Sequence, residues 1–349
     1  MRKGAWIVVF LGVVPGACSS SGGHGYAAPG GGGGAGSGDD GGGSGGSGGS
    51  SGGGAPSDAG PTYADAAPIV IGADAAPSDA DVETVVTLQT DTFTVPGGTE
   101  AFKCQQFANP FGKDVDITVY DGQMSVGSHH FFLFTLPGLT TSPIQDCPFG
   151  GLEIHPFPYL SQSPHMIQTY PEGMGSFMPA SLGYMMQVHF VNANAQPIQA
   201  SARITLTVAK PGTVTQHVGT IFMNQTFMSI PPTPQATPVP SKGTCALPKD
   251  MNLLSSWSHM HKWGEDFKVS ANGSTFYETT AWSEPPVHAH NPPVFLSAGT
   301  NVTWECDYYN DTGSTLTFGE TANGNVMCIY VGQYYPADPN NSSIQCILN

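Results

Sequence analysis

The stretch Ala202-Arg203-Ile204-Thr205-Leu206-Thr207-Val208 alternates apolar and polar side chains, which is typical of a half-buried β-strand. Two further stretches follow the same pattern, Asp116-Ile117-Thr118-Val119-Tyr120 and Asn301-Val302-Thr303-Trp304-Glu305-Cys306, and turn residues punctuate the chain at short intervals. We find no convincing amphipathic helical pattern. The sequence therefore predicts an all-β fold of two antiparallel β-sandwich domains with jelly-roll-like architecture.

The N-terminus has the features of an export signal. Arg2 and Lys3 precede a short apolar run over residues 5–14, which is too short to span a bilayer as a mature helix. The following Pro15-Gly16-Ala17-Cys18 resembles a bacterial lipoprotein box, so we predict a signal peptide over residues 1–17 and lipidation of Cys18. Ordinary cleavage near Ala17, with Cys18 a spare thiol, is the alternative. The predicted location is the cell envelope through a lipid anchor, or otherwise the periplasm or the exterior.

Composition divides the rest of the chain. Residues 18–82 are dominated by Gly, Ser, Ala, Asp and Pro, and such a segment buries too little apolar surface to fold, so we expect a disordered tether. The folded part that follows is long enough to form two hydrophobic cores. Lys210-Pro211-Gly212 follows a strand and marks the predicted boundary between an N-terminal domain over residues 83–210 and a C-terminal domain over residues 211–349.

The charge balance limits the possible partners. The chain carries 26 acidic and 10 basic residues, for a net charge of −16. This excess of negative charge argues against nucleic acid and against an anionic membrane surface as partners. We expect a small-molecule substrate instead, with a membrane contact only through the predicted lipid anchor.

Cysteine usage indicates an oxidising compartment. Seven cysteines are present, and setting Cys18 aside leaves six, an even number that predicts three disulfides in an exported chain. Six cysteines allow fifteen pairings.

Two histidine pairs differ in what their spacing allows. His259 and His261 flank Met260, and residues two apart on a strand share a face, so their imidazoles form a ready bidentate metal site. His129 and His130 are adjacent, so both would reach one ion only at a strand end or at a distortion. One buried and one exposed ring is the alternative for the second pair.

Two single residues complete the set of candidate ligands. His189 lies in an apolar strand, where a lone histidine is usually a core residue. Met327 also lies in a strand, where methionine usually fills space in the core, but its thioether is a soft ligand that favours Cu(I).

In combination, these motifs resemble the copper type II, ascorbate-dependent monooxygenases, the family of peptidylglycine hydroxylase and dopamine β-hydroxylase. The family order is a histidine pair, a QVH(Y/F) strand, HxHxxG, and MC followed by YYP. The chain has the same order in His129-His130, Gln187-Val188-His189-Phe190, His259-Met260-His261-Lys262-Trp263-Gly264, Met327-Cys328 and Tyr334-Tyr335-Pro336. The resemblance extends over roughly residues 85–340.

The resemblance implies two copper ions, each held by one set of ligands. The electron-transfer copper would be bound by His129, His130 and His189, and the oxygen-activating copper by His259, His261 and Met327. Gln187 would take part in catalysis beside the first copper, although a strand glutamine also faces solvent commonly. The family's disulfide pattern would pair Cys104 with Cys147, Cys245 with Cys346, and Cys306 with Cys328.

The resemblance also implies the reaction. O2 would be reduced at the histidine–methionine copper, a substrate C–H bond would be hydroxylated, and ascorbate or another one-electron donor would supply the electrons. Relatives that hydroxylate peptides hold a carboxylate with an arginine and a tyrosine, but Trp257 and Val331 stand at those positions. A bare carboxylate would lack a partner there, so Trp257 predicts a neutral, apolar or aromatic substrate.

Two other interpretations compete with this one. A cupin-like dioxygenase would use Glu265 as a ligand after His259 and His261, although Leu253 replaces a glycine of that signature. A copper-binding protein of the same fold would bind the metal without turnover. A further pair, His288 and His290, lies in a proline-rich stretch and is expected to be a solvent-facing loop.

Overall fold

The computed structural model describes residues 61–63, 68–72, 78, 80–148, 154–233 and 237–348. The predicted signal peptide, Cys18 and most of the predicted tether lie outside these residues. The described residues form 25 β-strands and no α-helix. None of them belongs to a helix long and apolar enough to cross a membrane.

The strands form two groups along the chain. The first group is β1 (Ile69–Gly72), β2 (Val82–Gln89), β3 (Phe93–Val95), β4 (Glu100–Phe107), β5 (Val115–Met124), β6 (Ser128–Pro137), β7 (Gln145–Asp146), β8 (Tyr159–Ser161), β9 (His165–Thr169), β10 (Met174–Met178), β11 (Leu182–Val191), β12 (Ile198–Ala200), β13 (Ala202–Ala209) and β14 (Gln216–His217). The second group is β15 (Gly219–Gln225), β16 (Ser229–Ile230), β17 (Val239–Ala246), β18 (Met251–Met260), β19 (Gly264–Ala271), β20 (Ser274–Thr279), β21 (His288–Leu296), β22 (Asn301–Tyr308), β23 (Leu316–Thr317), β24 (Cys328–Tyr335) and β25 (Ser343–Leu348).

Each group forms two larger sheets. In the first, a seven-stranded sheet contains β1, β9, β5, β10 and β14 with β13 and β2, and a five-stranded sheet has the order β7-β4-β11-β6-β8. In the second, a five-stranded sheet has the order β21-β18-β24-β15-β25, and a four-stranded sheet the order β17-β22-β19-β20. The all-β sandwich fold is therefore confirmed. Pairing within the first group extends to His217, because β14 still pairs with β10, a few residues beyond the predicted boundary at residue 210.

The two five-stranded sheets, which we call the inner sheets, face each other. Strand β11 is buried from Gly183 to Phe190, so both of its faces are covered. One face packs with the seven-stranded sheet in a common apolar cluster. The opposite face belongs to a second cluster that includes Phe222 and Trp257 of the other inner sheet. The rings of Phe132 and Phe222 lie 6.5 Å apart across this contact, which puts the middle of the molecule between the two inner sheets.

Ordered contacts begin before residue 83, the predicted start of the N-terminal domain. Strand β1 pairs in parallel with β9. The hydroxyl of Tyr63 lies 2.7 Å from that of Ser201, and the Arg203 guanidinium lies 4.6 Å from the centroid of the Tyr63 ring. The predicted tether over residues 18–82 therefore includes segments that pack on the fold. The apolar run Ile69-Val70-Ile71 is long enough to form an edge strand, although low-complexity sequence surrounds it.

The three disulfides have the predicted partners. They are Cys104–Cys147, Cys245–Cys346 and Cys306–Cys328. The last two each connect the four-stranded sheet to the inner sheet of the second group. Their sequence separations of 101 and 22 residues correspond to about 3–5 kcal/mol each in the chain-entropy model.

A prediction follows from the packing of Trp304, which is fully buried and lies opposite Gly243 in the pairing of β17 with β22. A Cβ at position 243 would overlap the indole ring. We expect Gly243→Ala to lower the free energy of unfolding by about 1–3 kcal/mol, because the ring must leave its rotamer. Urea unfolding measures this. Gly313→Ala, where a Cβ meets open space, is the control, and equal stability of the two variants would contradict the prediction.

Candidate metal centre

A β-bulge brings His129 and His130 to one side of the inner sheet. The pairing of β6 with β11 places His130 opposite His189. The next pair is Ser128 opposite Phe190, so His129 is the extra residue of the bulge. The ring centroids of His129 and His130 lie only 5.3 Å apart as a result. Adjacent residues of a strand can reach one ion only at a distortion of this kind, as predicted for this pair.

His189 completes a first group of three. Its side chain is fully buried and stacks on Phe102, with a centroid distance of 3.7 Å. Its Nε2 lies 3.0 Å from Oε2 of Glu100. Because a carboxylate only accepts hydrogen bonds, Nε2 carries the proton and the Nδ1 lone pair is left for a metal.

Glu100 connects this group to the second half of the chain. Its carboxylate also accepts hydrogen bonds from the backbone N–H of Ala322 and from Nδ2 of Asn323, both at 3.2 Å. Burial raises the pKa of Glu100, but the hydrogen bond and charge of His189 and these two donors outweigh it and bring the pKa to about 2. The carboxylate is therefore ionised. It accepts the hydrogen bond from His189 and so orients the ring.

The second half contributes His259 and His261. His259 lies near the end of β18, and His261 begins the turn that Gly264 closes by donating its N–H to the His261 carbonyl at 2.8 Å. Nδ1 of His261 donates to the backbone carbonyl of Asn325 at 2.9 Å. That bond fixes the proton on Nδ1 and leaves Nε2 as the potential ligand atom.

The two histidine sets meet. One group with ligand atoms within 4.8 Å of one another is His129, His130 and His189, and another is His129, His259 and His261. The ring centroids of His129 and His259 lie 5.5 Å apart, as do those of His130 and His259. The resemblance implies one set of ligands for each ion, and the facing inner sheets bring both sets into one five-histidine cluster.

All five rings are neutral at neutral pH. Burial, with a contribution from the neighbouring rings, lowers the pKa of His129 to about 3 and holds those of His130 and His259 well below the usual value. Burial also lowers the pKa of His189, and it brings that of His261 to about 4. Neutral imidazole is the form that binds a metal.

Bare ring nitrogens provide the test of whether a metal fits. Four buried histidine ring nitrogens lack a hydrogen-bond partner among the described residues: Nε2 of His129, Nδ1 of His130, Nδ1 of His189 and Nε2 of His261. Unpartnered buried acceptors are costly unless something satisfies them. Since the opposite nitrogens of His189 and His261 are already committed as donors, the cluster fits transition-metal binding.

Met327 lies beside the cluster and its backbone is held firmly. The Tyr308 hydroxyl donates to the Met327 carbonyl at 2.5 Å, and the Trp304 Nε1–H donates to the Cys328 carbonyl at 3.2 Å. Cys328 is also bonded to Cys306. The Met327 side chain lines the same cavity as His130 and His259, which fits the role of a soft ligand.

That cavity, which we call the inner cavity, has a volume of about 40 Å³ and lies between the inner sheets. Its walls are mainly apolar and include Phe102, Phe132 and Phe222. Gln187 also lines it, and its buried Oε1 lacks a partner among the described residues. The structure therefore places Gln187 beside the cluster rather than in solvent.

Trp257 is not in the wall of this cavity. Its side chain is 2 % exposed and packs in the apolar cluster between the inner sheets, next to Val331 in the pairing of β18 with β24. The aromatic side chains that line the cavity are phenylalanines from both halves, so the lining gives no support to the predicted substrate contact of Trp257. Trp257 lies two residues before His259 on β18 and packs within the apolar contact.

The residues of the competing interpretations lie elsewhere. Glu265 is exposed and belongs to neither histidine group. His288 is exposed as expected, but His290 is buried in strand β21, and its Nε2 lies 2.8 Å from the Ser256 hydroxyl. The expected loop is thus an edge strand, because β21 pairs with β18 despite its prolines.

Sequence reasoning missed the groups that orient the ligands. Glu100 and the Asn325 carbonyl are separated from their histidines by 89 and 64 residues. Glu100 stands in an ordinary strand, and a backbone carbonyl leaves no trace in the sequence. Only the approach of the two halves shows their roles.

The metal-free protein should lose stability as the pH falls. The unfolded chain protonates its histidines near pH 6.5, whereas the folded cluster stays neutral, so stability is lost below pH 6.5. We expect the free energy of unfolding to fall by at most roughly 2 kcal/mol per ring between pH 6.5 and pH 5. Urea unfolding of metal-free protein across this range measures it. His129→Gln should reduce the slope, whereas a slope unchanged from that of the exposed control His288→Gln would contradict the interpretation.

Glu100 should control metal affinity through His189. We expect Glu100→Ala to weaken binding by about 10–100-fold, because the ring loses the acceptor that fixes its orientation and proton. Glu100→Gln should have a smaller effect, since an amide oxygen still accepts. Competition titration with a chelator gives the affinity. The exposed Glu172→Gln is the control, and equal affinity in Glu100→Ala and wild type would rule out this role.

Comparison with known proteins leaves the site to be interpreted from its own geometry. No family model matches the chain, and no curated protein matches it. Among solved structures, the major capsid protein P2 of bacteriophage PM2 is 9% identical over 74% of this chain and 100% of that chain, with a TM-score of 0.32. PBCV-1 VP54, fitted into a reconstruction of the virophage Sputnik, is 9% identical over 72% of this chain and 94% of that chain, with a TM-score of 0.25. These similarities are too low to support an argument about function.

Proposed function

We propose that the chain is a copper-dependent monooxygenase that hydroxylates a C–H bond of a small organic substrate with O2 and an external one-electron donor. The observation that carries this proposal is the convergence of five neutral histidines and Met327 around one apolar cavity between the inner sheets. The order of the motifs in the sequence supports the same reaction. Three disulfides fit the oxidising compartment in which an exported enzyme would work.

The donor set favours copper. Imidazole suits several transition metals, but a thioether beside histidines selects Cu(I) among them. Bound copper would supply the one-electron redox chemistry that reduces O2. We propose two ions per chain, one held mainly by His129, His130 and His189, the other by His259, His261 and Met327.

The protein's own residues would define the reaction space. The phenylalanine walls of the inner cavity leave little room for water, which would limit side reactions of reactive species. Gln187 presents an unpartnered amide oxygen to this space and would position a ligand beside His130. The balance is R–H + O2 + 2 e⁻ + 2 H⁺ → R–OH + H2O, so an external donor must supply two electrons.

The lining of the inner cavity supports a substrate without a carboxylate. Among the described residues that line it, Glu320 is acidic and none is a lysine or arginine. A carboxylate would be desolvated there without a cation, which is costly. A neutral, apolar or aromatic substrate therefore fits better than a peptide with a free C-terminus.

Access to the inner cavity would come from an adjoining open groove of about 580 Å³. Ile154, Asn224 and Phe318 line both spaces. At about 40 Å³ the inner cavity holds little more than O2 or a water or two, so substrate entry requires these side chains to move.

A second candidate function is copper binding without turnover. The small volume of the inner cavity and the one histidine cluster among the described residues favour it, since a storage or carrier protein needs no substrate space. Such a protein would bind copper but would not consume O2 when a reductant and a substrate are added.

The test combines metal content with oxygen chemistry. We expect two copper ions per wild-type chain and reductant-dependent O2 uptake with a neutral C–H substrate. Met327→Ile should fold and keep bound copper but lose hydroxylation, because it removes the thioether and little volume. Met251→Ile, fully buried outside the inner cavity, is the matched control.

X-ray absorption on the reduced protein provides the structural readout. A copper–sulfur contact in wild type and in Met251→Ile, but not in Met327→Ile, is expected. Absence of that contact in wild type, or a chain that binds no copper, would reject the monooxygenase proposal. Copper without reductant-dependent O2 uptake would favour the second candidate.

A further inference from the structure

A second opening reaches the histidine cluster at His129. This polar groove has a volume of about 190 Å³ and shares no lining residue with the inner cavity. Its described lining includes Ser128, Gln162, Trp282 and Glu284. His129 thus faces an open polar space, whereas His130 and His259 face the closed apolar one.

Gln162 indicates that the polar groove receives a hydrogen-bonding molecule. The side chain is 6 % exposed, and both its Oε1 and its Nε2 lack a partner among the described residues. A buried amide in this state requires one group that donates and one that accepts. A hydroxyl group satisfies both requirements.

The charge and shape of the polar groove restrict the class of ligand further. Glu284 is exposed at the groove, and no lysine or arginine lies in the described lining. The chain as a whole carries a net charge of −16, so an anion is repelled. The half-buried Trp282 offers an aromatic surface for a flat ring.

We propose that the polar groove binds a neutral hydroxylated aromatic of the hydroquinone class, which donates electrons at His129. This inference rests on the proposed function, because it assigns the source of the two electrons. His129 belongs to both histidine groups, so electrons that enter at His129 can reach both groups. A neutral donor is preferred here over the ascorbate anion.

The electron balance closes with two donor molecules per turnover. Each hydroquinone breaks one O–H bond and releases one electron and one proton. Two molecules supply the two electrons and two protons that the hydroxylation consumes. The two phenoxyl radicals disproportionate to one hydroquinone and one quinone.

Binding can be measured without turnover on zinc-loaded protein, which hydroquinone does not reduce. We expect saturable hydroquinone binding by NMR titration, weakened about tenfold in Gln162→Leu, with zinc content unchanged. The exposed Gln196→Leu is the control and should bind as wild type does. No saturable binding in wild type, or equal affinity in Gln162→Leu, would overturn the proposal.

Kinetics of the copper-loaded protein give an independent readout. Gln162→Leu should raise the KM for hydroquinone about tenfold and leave the KM for the C–H substrate unchanged. Glu284→Gln should lower the KM for ascorbate relative to hydroquinone, because a repelling charge is removed. This exposed substitution also keeps the proposal testable if Gln162→Leu does not fold.

The two proposals fail in different ways. Unchanged donor KM values in both variants of an active enzyme would reject the polar groove and leave the monooxygenase standing. Hydroquinone binding to the zinc form in a chain that takes up no copper would reject the monooxygenase and the electron transfer, and would leave the polar groove as a binding site only.

Discussion

The apolar contact between the two inner sheets determines the position of every candidate ligand. Phenylalanines from both sheets meet there, and burial of aromatic surface is the main favourable free energy of such a contact. The contact brings His129 within 5.5 Å of His259, measured between ring centroids, although 130 residues separate them. Without it, the two ligand sets would not meet in one cluster.

A short loop of the second half stabilises this arrangement around the cluster. Its Ala322 and Asn323 donate to Glu100, which orients His189, and the carbonyl of Asn325 orients His261. Both histidine groups therefore depend on the same loop. Ligand orientation in one half is coupled to the other half by hydrogen bonds as well as by apolar packing.

The surroundings of the cluster are asymmetric. An apolar cavity lies on the side of His130, His259 and Met327, and a polar groove lies on the side of His129. The proposed monooxygenase would bind its C–H substrate on the apolar side and its electron donor on the polar side. The separation would keep the donor away from the reacting carbon.

The sequence by itself determined the fold class, and its resemblance to a known family predicted the disulfide partners and the candidate ligands. Alternation of apolar residues fixes strands locally, and the motif order links distant residues through a resemblance. It could not show that His129 occupies a β-bulge, since a bulge depends on the register of β6 against β11. Nor could it show Glu100 and the Asn325 carbonyl as orienting groups, or the displacement of Trp257 into the core. Only the tertiary structure decided these points, because they depend on how two sheets approach each other, and that approach is a sum of many contacts between residues far apart in the chain.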